Sequence, residues 1–146
     1  MWRSGRRLYS TAGVLMILTA MAHTAGNLAP NPDVALAQVL ALMKDSHIAM
    51  GLGMRPSVFD IYRCLVWTMS ITFLALGVLT LAVTGSSEST AGLLRRVSWI
   101  NAVWVGGFLA ITVVYQIPPP LISAVLIEVV LIASLVSAER GGGATA

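Results

Sequence analysis

The amino-acid sequence predicts an all-α integral membrane protein, a bundle of four transmembrane helices with a short interfacial helix on its outer side. Hydrophobic residues make up 57% of the 146 residues and charged residues only 10%, whereas a soluble domain carries about 25% charged residues. The mean hydropathy is +0.84. The apolar residues also gather into four runs, and each is long enough to cross a bilayer, which takes about 20 residues. This composition excludes an ordinary soluble domain and a disordered chain.

The four spans are predicted at about 8–29, 58–84, 93–115 and 120–138, within one membrane domain over 1–146. The first span ends where Ala29 meets Pro30, and a polar turn over 85–92 separates the second span from the third. Pro118, Pro119 and Pro120 end the third span, because proline has no N–H to donate within a helix.

The first span has a second interpretation, as a cleaved signal peptide. Arg3, Arg6 and Arg7 precede an apolar core, and the segment 20–22 fits a small-x-small cleavage site. The apolar run continues to Ala29, a length that favours a transmembrane span.

A short helix is predicted at about 32–44, between the first two spans. Asn31 is a suitable N-cap, Pro32 fits the first helical position, and Asp33 suits the positive end of the helix dipole. About ten uncharged residues follow, too few to cross a bilayer. We expect this helix to lie in the membrane interface or to pack over the bundle.

The distribution of basic residues predicts the threading. With the N-terminus inside, six basic residues lie on the inner side and three on the outer side, and basic residues mark the cytoplasmic side. The inner residues are Arg3, Arg6, Arg7, Arg95, Arg96 and Arg140, and the outer ones are Lys44, Arg55 and Arg63. We therefore expect a bacterial inner membrane protein with both termini in the cytoplasm. No basic face carries interleaved aromatic residues, so a nucleic-acid partner is not expected.

Polar residues inside the spans are the candidate functional groups, because they are costly in hydrocarbon and face a bundle interior or a wet cavity. Glu128 lies near the middle of the fourth span. Its carboxyl group must pair, form hydrogen bonds or stay protonated. This leaves two alternatives, a binding or proton-handling role and a structural hydrogen bond between helices.

His23 and Asn27 lie one turn apart on one face of the first span. With a rise of 1.5 Å per residue, His23 is expected about 7 Å outward of Glu128. The two side chains would form an acid–base couple if the first and fourth spans are neighbours. The alternative is a core histidine that bonds a neighbouring helix.

Asp60, Arg63 and Tyr115 complete the candidate site. Asp60 and Arg63 are three residues apart at the outer end of the second span, a spacing that allows an ion pair. Alternatively, Asp60 closes a capping box that begins at Ser57, and Arg63 extends to the lipid head groups. In a functional role, Arg63 would hold an anionic head group or a substrate carboxylate.

The third span carries a helical stripe with Asn101, Trp104 and Phe108, either the wall of a cavity or a packed seam. Small residues favour close approach of helices. They are Ala22, Gly26, Gly106, Gly107, Ser134 and Ala138.

Some chemistries are not expected from the residue inventory. The chain has two histidines and one cysteine, so we expect no metal site, no haem between two histidines and no internal disulfide. Catalytic residues and cofactors are left unassigned, and so is the question of whether the protein is an enzyme.

Several short motifs resemble those of a group of small, uncharacterised bacterial membrane proteins with four predicted spans. The first span ends in His23-Thr24-Ala25-Gly26, and the short helix holds Met43-Lys44. The second span opens with Phe59-Asp60-Ile61-Tyr62, and Tyr115 precedes the proline run. The resemblance implies four helices and a shared set of outer motifs but no activity, and Arg63 and Glu128 lie outside it.

Three functions are compatible with this sequence. The first is the binding of a small amphiphile, lipid or quinone in an outward-facing site within the bundle. The second is a structural or accessory role, in a homo-oligomer or in a larger membrane complex. The third is an oligomeric proton-coupled carrier. Membrane lipid is the expected partner in each case.

Overall fold

The protein is all-α, as the sequence predicts. A computed structural model describes residues 2–30, 33–86, 91–114 and 118–142. Across these ranges the chain forms five helices, listed here in order: α1 (Trp2–Leu28), α2 (Val34–Asp45), α3 (Val58–Gly85), α4 (Ala91–Val114) and α5 (Pro118–Gly142).

Four of these helices contain segments that are long and apolar enough to cross a membrane, which confirms the predicted number of spans. The segments are Gly5–Leu28, Val58–Gly85, Gly92–Val114 and Pro120–Ser137. The chain is thus a multi-pass membrane protein with four candidate spans.

The chain forms two compact units. The first contains the residues up to Thr19 and from Phe73 onward, and the second contains Ala20–Thr72. The first unit thus combines the N-terminal part of α1, the C-terminal part of α3, and α4 and α5. The second combines the remaining parts of α1 and α3 with α2.

The first unit has an apolar core to which all four of its helices contribute, and α4 packs against α5. Its buried apolar side chains are Tyr9, Ala12, Met16, Phe73, Leu94, Ala102, Val105, Ala124, Ile127, Leu131 and Leu135.

The backbones of α1 and α3 are in direct contact at Gly13 and Gly77. A Cβ atom at Gly77 would lie 2.7 Å from Ile17 Cγ1 and 2.8 Å from the Gly13 carbonyl oxygen, so only glycine fits there. Two of the glycines predicted to favour close approach behave differently. A Cβ atom at Gly26 or Gly107 would meet nothing within 4 Å.

The aromatic stripe of α4 is a packed seam within the first unit. Trp104 and Phe108 both meet Phe73 of α3 edge to face, with centroid distances of 4.9 and 5.3 Å. These separations are typical of favourable aromatic pairs, and they favour the packed-seam alternative over the wall of a cavity.

Helix α2 begins two residues later than its predicted start. Its N-cap is Asp33, whose backbone is extended and whose side chain accepts hydrogen bonds from the Ala35 and Leu36 N–H groups. The prediction that Asn31 is the N-cap is therefore wrong. Asp33 is favoured as the cap rather than as a residue within the first turn, because from the cap position its carboxylate accepts hydrogen bonds from two N–H groups at the helix end. Asn31 and Pro32 themselves lie outside the described residues.

A hairpin-like connection over residues 46–57 joins α2 to α3. The Ile48 N–H donates to the Pro56 carbonyl, and the Met50 N–H donates to the Met54 carbonyl, both over 3.1 Å. His47 and Ser57 form an antiparallel bridge near its base.

Candidate functional site

The first turn of α3 is organised by a capping box, one of the two roles that the sequence allows for Asp60. The Asp60 carboxylate accepts hydrogen bonds from the Ser57 hydroxyl at 2.7 Å and from the Ser57 N–H at 3.0 Å. The Asp60 N–H donates in return to the Ser57 hydroxyl oxygen at 3.1 Å. These bonds support the capping role of Asp60, and they leave the Arg63 side chain to other contacts.

Arg63 and Lys44 both approach the ring of Phe59. The Arg63 guanidinium carbon lies 5.9 Å from the ring centroid, and Lys44 Nζ lies 5.0 Å from it. Both distances are within the range of cation–π attraction. Two cations, one from α3 and one from the end of α2, therefore converge on a single aromatic ring.

Arg63 also lines a cavity of about 180 Å³ between the α1, α2 and α3 segments of the second unit. Asn27 of α1 contributes an amide, and three aromatic residues of α3 contribute a wall. Leu36 and Leu40 of α2 contribute aliphatic surface. The aromatic residues are Phe59, Tyr62 and Trp67. The cavity therefore combines one guanidinium and one amide with apolar walls, the composition typical of small-molecule sites.

His23 lies beside Asn27, one helical turn from it on α1. Its Nδ1 atom is 2.9 Å from the Ser70 hydroxyl of α3 and 3.4 Å from Asn27 Nδ2. Asn27 Nδ2 also donates to the His23 carbonyl oxygen at 2.7 Å. An amide NH₂ group is a donor only, so these contacts fit a tautomer in which Nδ1 accepts and Nε2 carries the proton. His23 thus anchors α1 to α3 and orients the amide of Asn27.

Glu128 belongs to the first unit, where its side chain is half-buried between α5 and α4. Its Oε1 atom lies 3.6 Å from the position that a Cβ atom would occupy at Gly106. Its Oε2 atom is buried and has no hydrogen-bond partner among the described residues. Glu128 therefore lies inside a candidate span, and the described contacts satisfy the hydrogen-bonding capacity of its carboxyl group only in part.

A buried polar cluster in the first unit connects three helices. Asn101 of α4 is fully buried, and its Nδ2 donates to the Tyr9 hydroxyl at 3.1 Å and to the Thr80 hydroxyl at 2.9 Å. The sequence placed Asn101 on the stripe of α4 but did not indicate Tyr9 or Thr80 as its partners. The presence of a tyrosine and a threonine inside apolar spans could have indicated these partners, because a buried hydroxyl group requires a hydrogen-bond partner.

Arg6 closes the C-terminal end of α3. Its Nε atom donates to the Thr84 carbonyl at 2.6 Å and its Nη2 atom to the Ser86 carbonyl at 3.4 Å. The last carbonyls of a helix lack partners within the helix, and they carry its negative dipole end. The sequence predicts that Arg6 marks the cytoplasmic side of the membrane. In the structure, its side chain also caps the C-terminal end of α3.

Of the six predicted site residues, the structure brings four into one local arrangement in the second unit. Asn27 and Arg63 line the cavity, His23 bonds Asn27, and Asp60 caps the helix that carries Arg63. Glu128 belongs to the first unit. Tyr115 lies outside the described residues. Within the described part of the chain, no group of three or more potential ligands is placed to hold a metal ion.

No protein family, curated protein or solved structure matches the chain. The resemblance drawn from the short motifs therefore identifies no family, and the four candidate spans are the part of it that the structure supports.

Proposed function

We propose that the protein binds an amphiphile with an anionic head group in the cavity between α1, α2 and α3. The observation that carries this proposal is the cavity itself, which combines Arg63 and Asn27 with aromatic and aliphatic walls. A guanidinium group is suited to carboxylate and phosphate groups, which it binds through paired hydrogen bonds. Lys44, which lies on the same Phe59 ring, adds positive charge beside the cavity.

The size of the cavity supports a head group rather than a whole lipid as its occupant. A site that encloses a complete drug-sized ligand measures roughly 300–1,000 Å³, whereas this cavity holds about 180 Å³. In the proposed complex, the head group contacts Arg63 and Asn27, and the hydrocarbon chain lies along the lipid-facing surface of the spans. His23 and Asp60 act indirectly, His23 by orienting Asn27 and Asp60 by capping α3.

We further propose a bacterial inner membrane as the location, with both termini in the cytoplasm. Basic residues are in excess within 1–7 and at 95–96, beside the inner ends of the first and third spans. This excess supports the orientation. The cavity then opens at the outer leaflet, where the head groups of that leaflet are the nearest amphiphiles.

The proposal is tested with defined lipids and purified protein in mild detergent. Native mass spectrometry counts the molecules of phosphatidylglycerol, which is anionic, or phosphatidylcholine, which is zwitterionic, that remain bound. We expect the wild-type protein to retain phosphatidylglycerol preferentially. Arg63→Gln should weaken this retention about tenfold or more, because a hydrogen bond to a charged group contributes about 1.5–3 kcal/mol.

Arg96→Gln is the matched control, since it removes one exposed positive charge outside the cavity. A second variant, Leu40→Phe, fills the cavity without changing the charge and should also reduce retention. Equal retention by the wild type, Arg63→Gln and Leu40→Phe would contradict the proposal.

A further inference from the structure

The turn of the 46–57 hairpin has an unusual backbone. Gly51, Leu52 and Gly53 are consecutive residues with φ angles of +78°, +50° and +75°. Glycine adopts this conformation readily, but a residue with a Cβ atom is disfavoured there. The turn therefore holds a leucine at its tip in a costly conformation, and the Leu52 side chain is 98% exposed.

The hairpin also has one apolar face. Side chains alternate between the two faces of an extended ribbon, and the paired positions place Ile48, Met50 and Met54 on the same face. Each of these side chains is about half exposed. His47 and Arg55 lie on the opposite face. Together with Leu52, the apolar face forms what we call the apolar hairpin surface: Ile48, Met50, Leu52 and Met54.

The neighbouring helix α2 is likewise unsuited to water. It has no buried residue, and its side chains are apolar around most of its circumference. Val34, Val39 and Leu42 are among its exposed positions. A helix that is apolar all round belongs inside a protein or in contact with lipid, so the hairpin continues an apolar surface that begins on α2.

The hairpin is fastened to the start of a candidate span. The Val58 N–H donates to the Ser46 carbonyl at 2.8 Å, which ties the base of the hairpin to the first residue of α3. The 28 residues of α3 extend about 42 Å at 1.5 Å per residue. The hydrocarbon core is only about 30 Å thick, so an end of α3 reaches the level of the lipid head groups.

Charge at the ends of the hairpin suits the same location. Lys44 precedes the hairpin and Arg55 lies on its polar face, with Asp45 as the one acidic residue of the 44–57 segment. The segment is therefore weakly cationic. Basic side chains beside an apolar surface are attracted to the phosphates of anionic lipids.

We propose that the apolar hairpin surface inserts into the interfacial region of the lipid bilayer, with Leu52 as its deepest residue. Three observations favour the lipid bilayer as the partner of this surface: its apolar face, its attachment to a candidate span and the flanking cations. The insertion is independent of the proposed cavity ligand. It would hold α2, which forms one wall of the cavity, against the membrane surface.

The test uses a single fluorescent probe on the full chain. Cys64, the one cysteine, is replaced in Cys64→Ser, and Leu52→Cys is added and labelled with the environment-sensitive fluorophore NBD. The protein is reconstituted into vesicles of phosphatidylcholine and phosphatidylglycerol. We expect blue-shifted emission, strong quenching by lipids spin-labelled near the head group, and at least fivefold weaker quenching by aqueous iodide than at the control position.

Ala49→Cys, on the polar face of the same hairpin, is the matched control, because it is exposed and changes no charge; it should be quenched by iodide. Met50→Cys provides a second position on the apolar face and should behave like Leu52→Cys. Iodide quenching at residues 50 and 52 as strong as at residue 49 would overturn the proposal. Protection from both iodide and spin-labelled lipid would also overturn it, because the surface would then be covered by protein.

Discussion

Asn101 shows how a single polar residue organises apolar helices. Its amide joins α4 to Tyr9 of α1 and Thr80 of α3, and all three side chains are buried. Hydrogen bonds between membrane helices contribute about 0.6 kcal/mol on average and up to about 1.7 kcal/mol. Two bonds from one side chain also fix which faces of the three helices meet.

Glu128 is less completely bonded than Asn101, although the Oδ1 atom of Asn101 also has no hydrogen-bond partner among the described residues. Its buried Oε2 atom has no partner among the described residues, and an unsatisfied buried polar group costs about 1–3 kcal/mol. We predict that Glu128→Leu raises the thermal unfolding midpoint of the detergent-solubilised protein. The expected gain is about 1 kcal/mol, or roughly 3 °C, measured by tryptophan fluorescence.

Glu128→Gln is the control, because it keeps the size and polarity of the side chain and should leave the midpoint nearly unchanged. A lower midpoint for Glu128→Leu would show that the carboxyl group stabilises the fold. A higher midpoint would mean that Glu128 is retained at a cost in stability, as residues with a functional role often are.

Among the helices, the contact between α1 and α3 depends most strongly on one residue type. A Cβ atom at Gly77 would clash with Ile17 and with the Gly13 backbone. We predict that Gly77→Ala destabilises the protein by about 1–3 kcal/mol, the usual cost of an overpacked contact, and lowers the thermal unfolding midpoint in detergent.

The matched control is Gly107→Ala on α4, where the added methyl group meets open space. This variant should be neutral or slightly stabilising, because alanine is favoured over glycine in a helix by about 0.5–1 kcal/mol. If Gly77→Ala and Gly107→Ala unfold at the same temperature, the close approach of α1 and α3 is contradicted.

The ends of the helices show where local sequence is sufficient for prediction. The capping box of Ser57 and Asp60 was predictable, because it depends only on two residues three positions apart. The N-cap of α2 was not, since Asn31 and Asp33 are both good cap residues and the local sequence does not decide between them. The close contact at Gly13 and Gly77 was missed for a related reason. Which small residues of two helices come into contact depends on how the helices pack, and the local sequence of either helix does not show this.

At the scale of the whole molecule, the number of spans was predictable because composition and run length are properties of the sequence alone. The cavity was only partly predictable. Asn27 and Arg63 were expected as candidates, but the walls provided by Leu36, Leu40 and Phe59 depend on how α2 folds back beside α1 and α3. Amphipathic periodicity could not reveal this, since α2 is apolar on nearly every side.

The proposed threading makes a prediction for the intact cell. In a Cys64→Ser background, Asp45→Cys should react with a membrane-impermeant maleimide added outside the cell. The segment between the first two spans, which contains Asp45, carries few basic residues and is therefore expected on the outer side. A cysteine at Gly92, beside Arg95 and Arg96, should react only after the membrane is permeabilised. Both sites are exposed, and neither substitution changes a basic residue. The reverse labelling pattern would contradict the orientation.

The bond between Tyr9 and Asn101 also has a consequence for biogenesis. The two residues are 92 positions apart, and ribosomes add about 5–20 residues per second. The first helix therefore waits about 5–20 s before its buried tyrosine meets the amide, and Arg6 waits nearly as long for the end of α3. During that interval α1, the least hydrophobic of the four candidate spans, must remain in the membrane without its final neighbours. Insertion of α1 thus precedes assembly of the bundle, and Tyr9 and Arg6 reach their partners only at assembly.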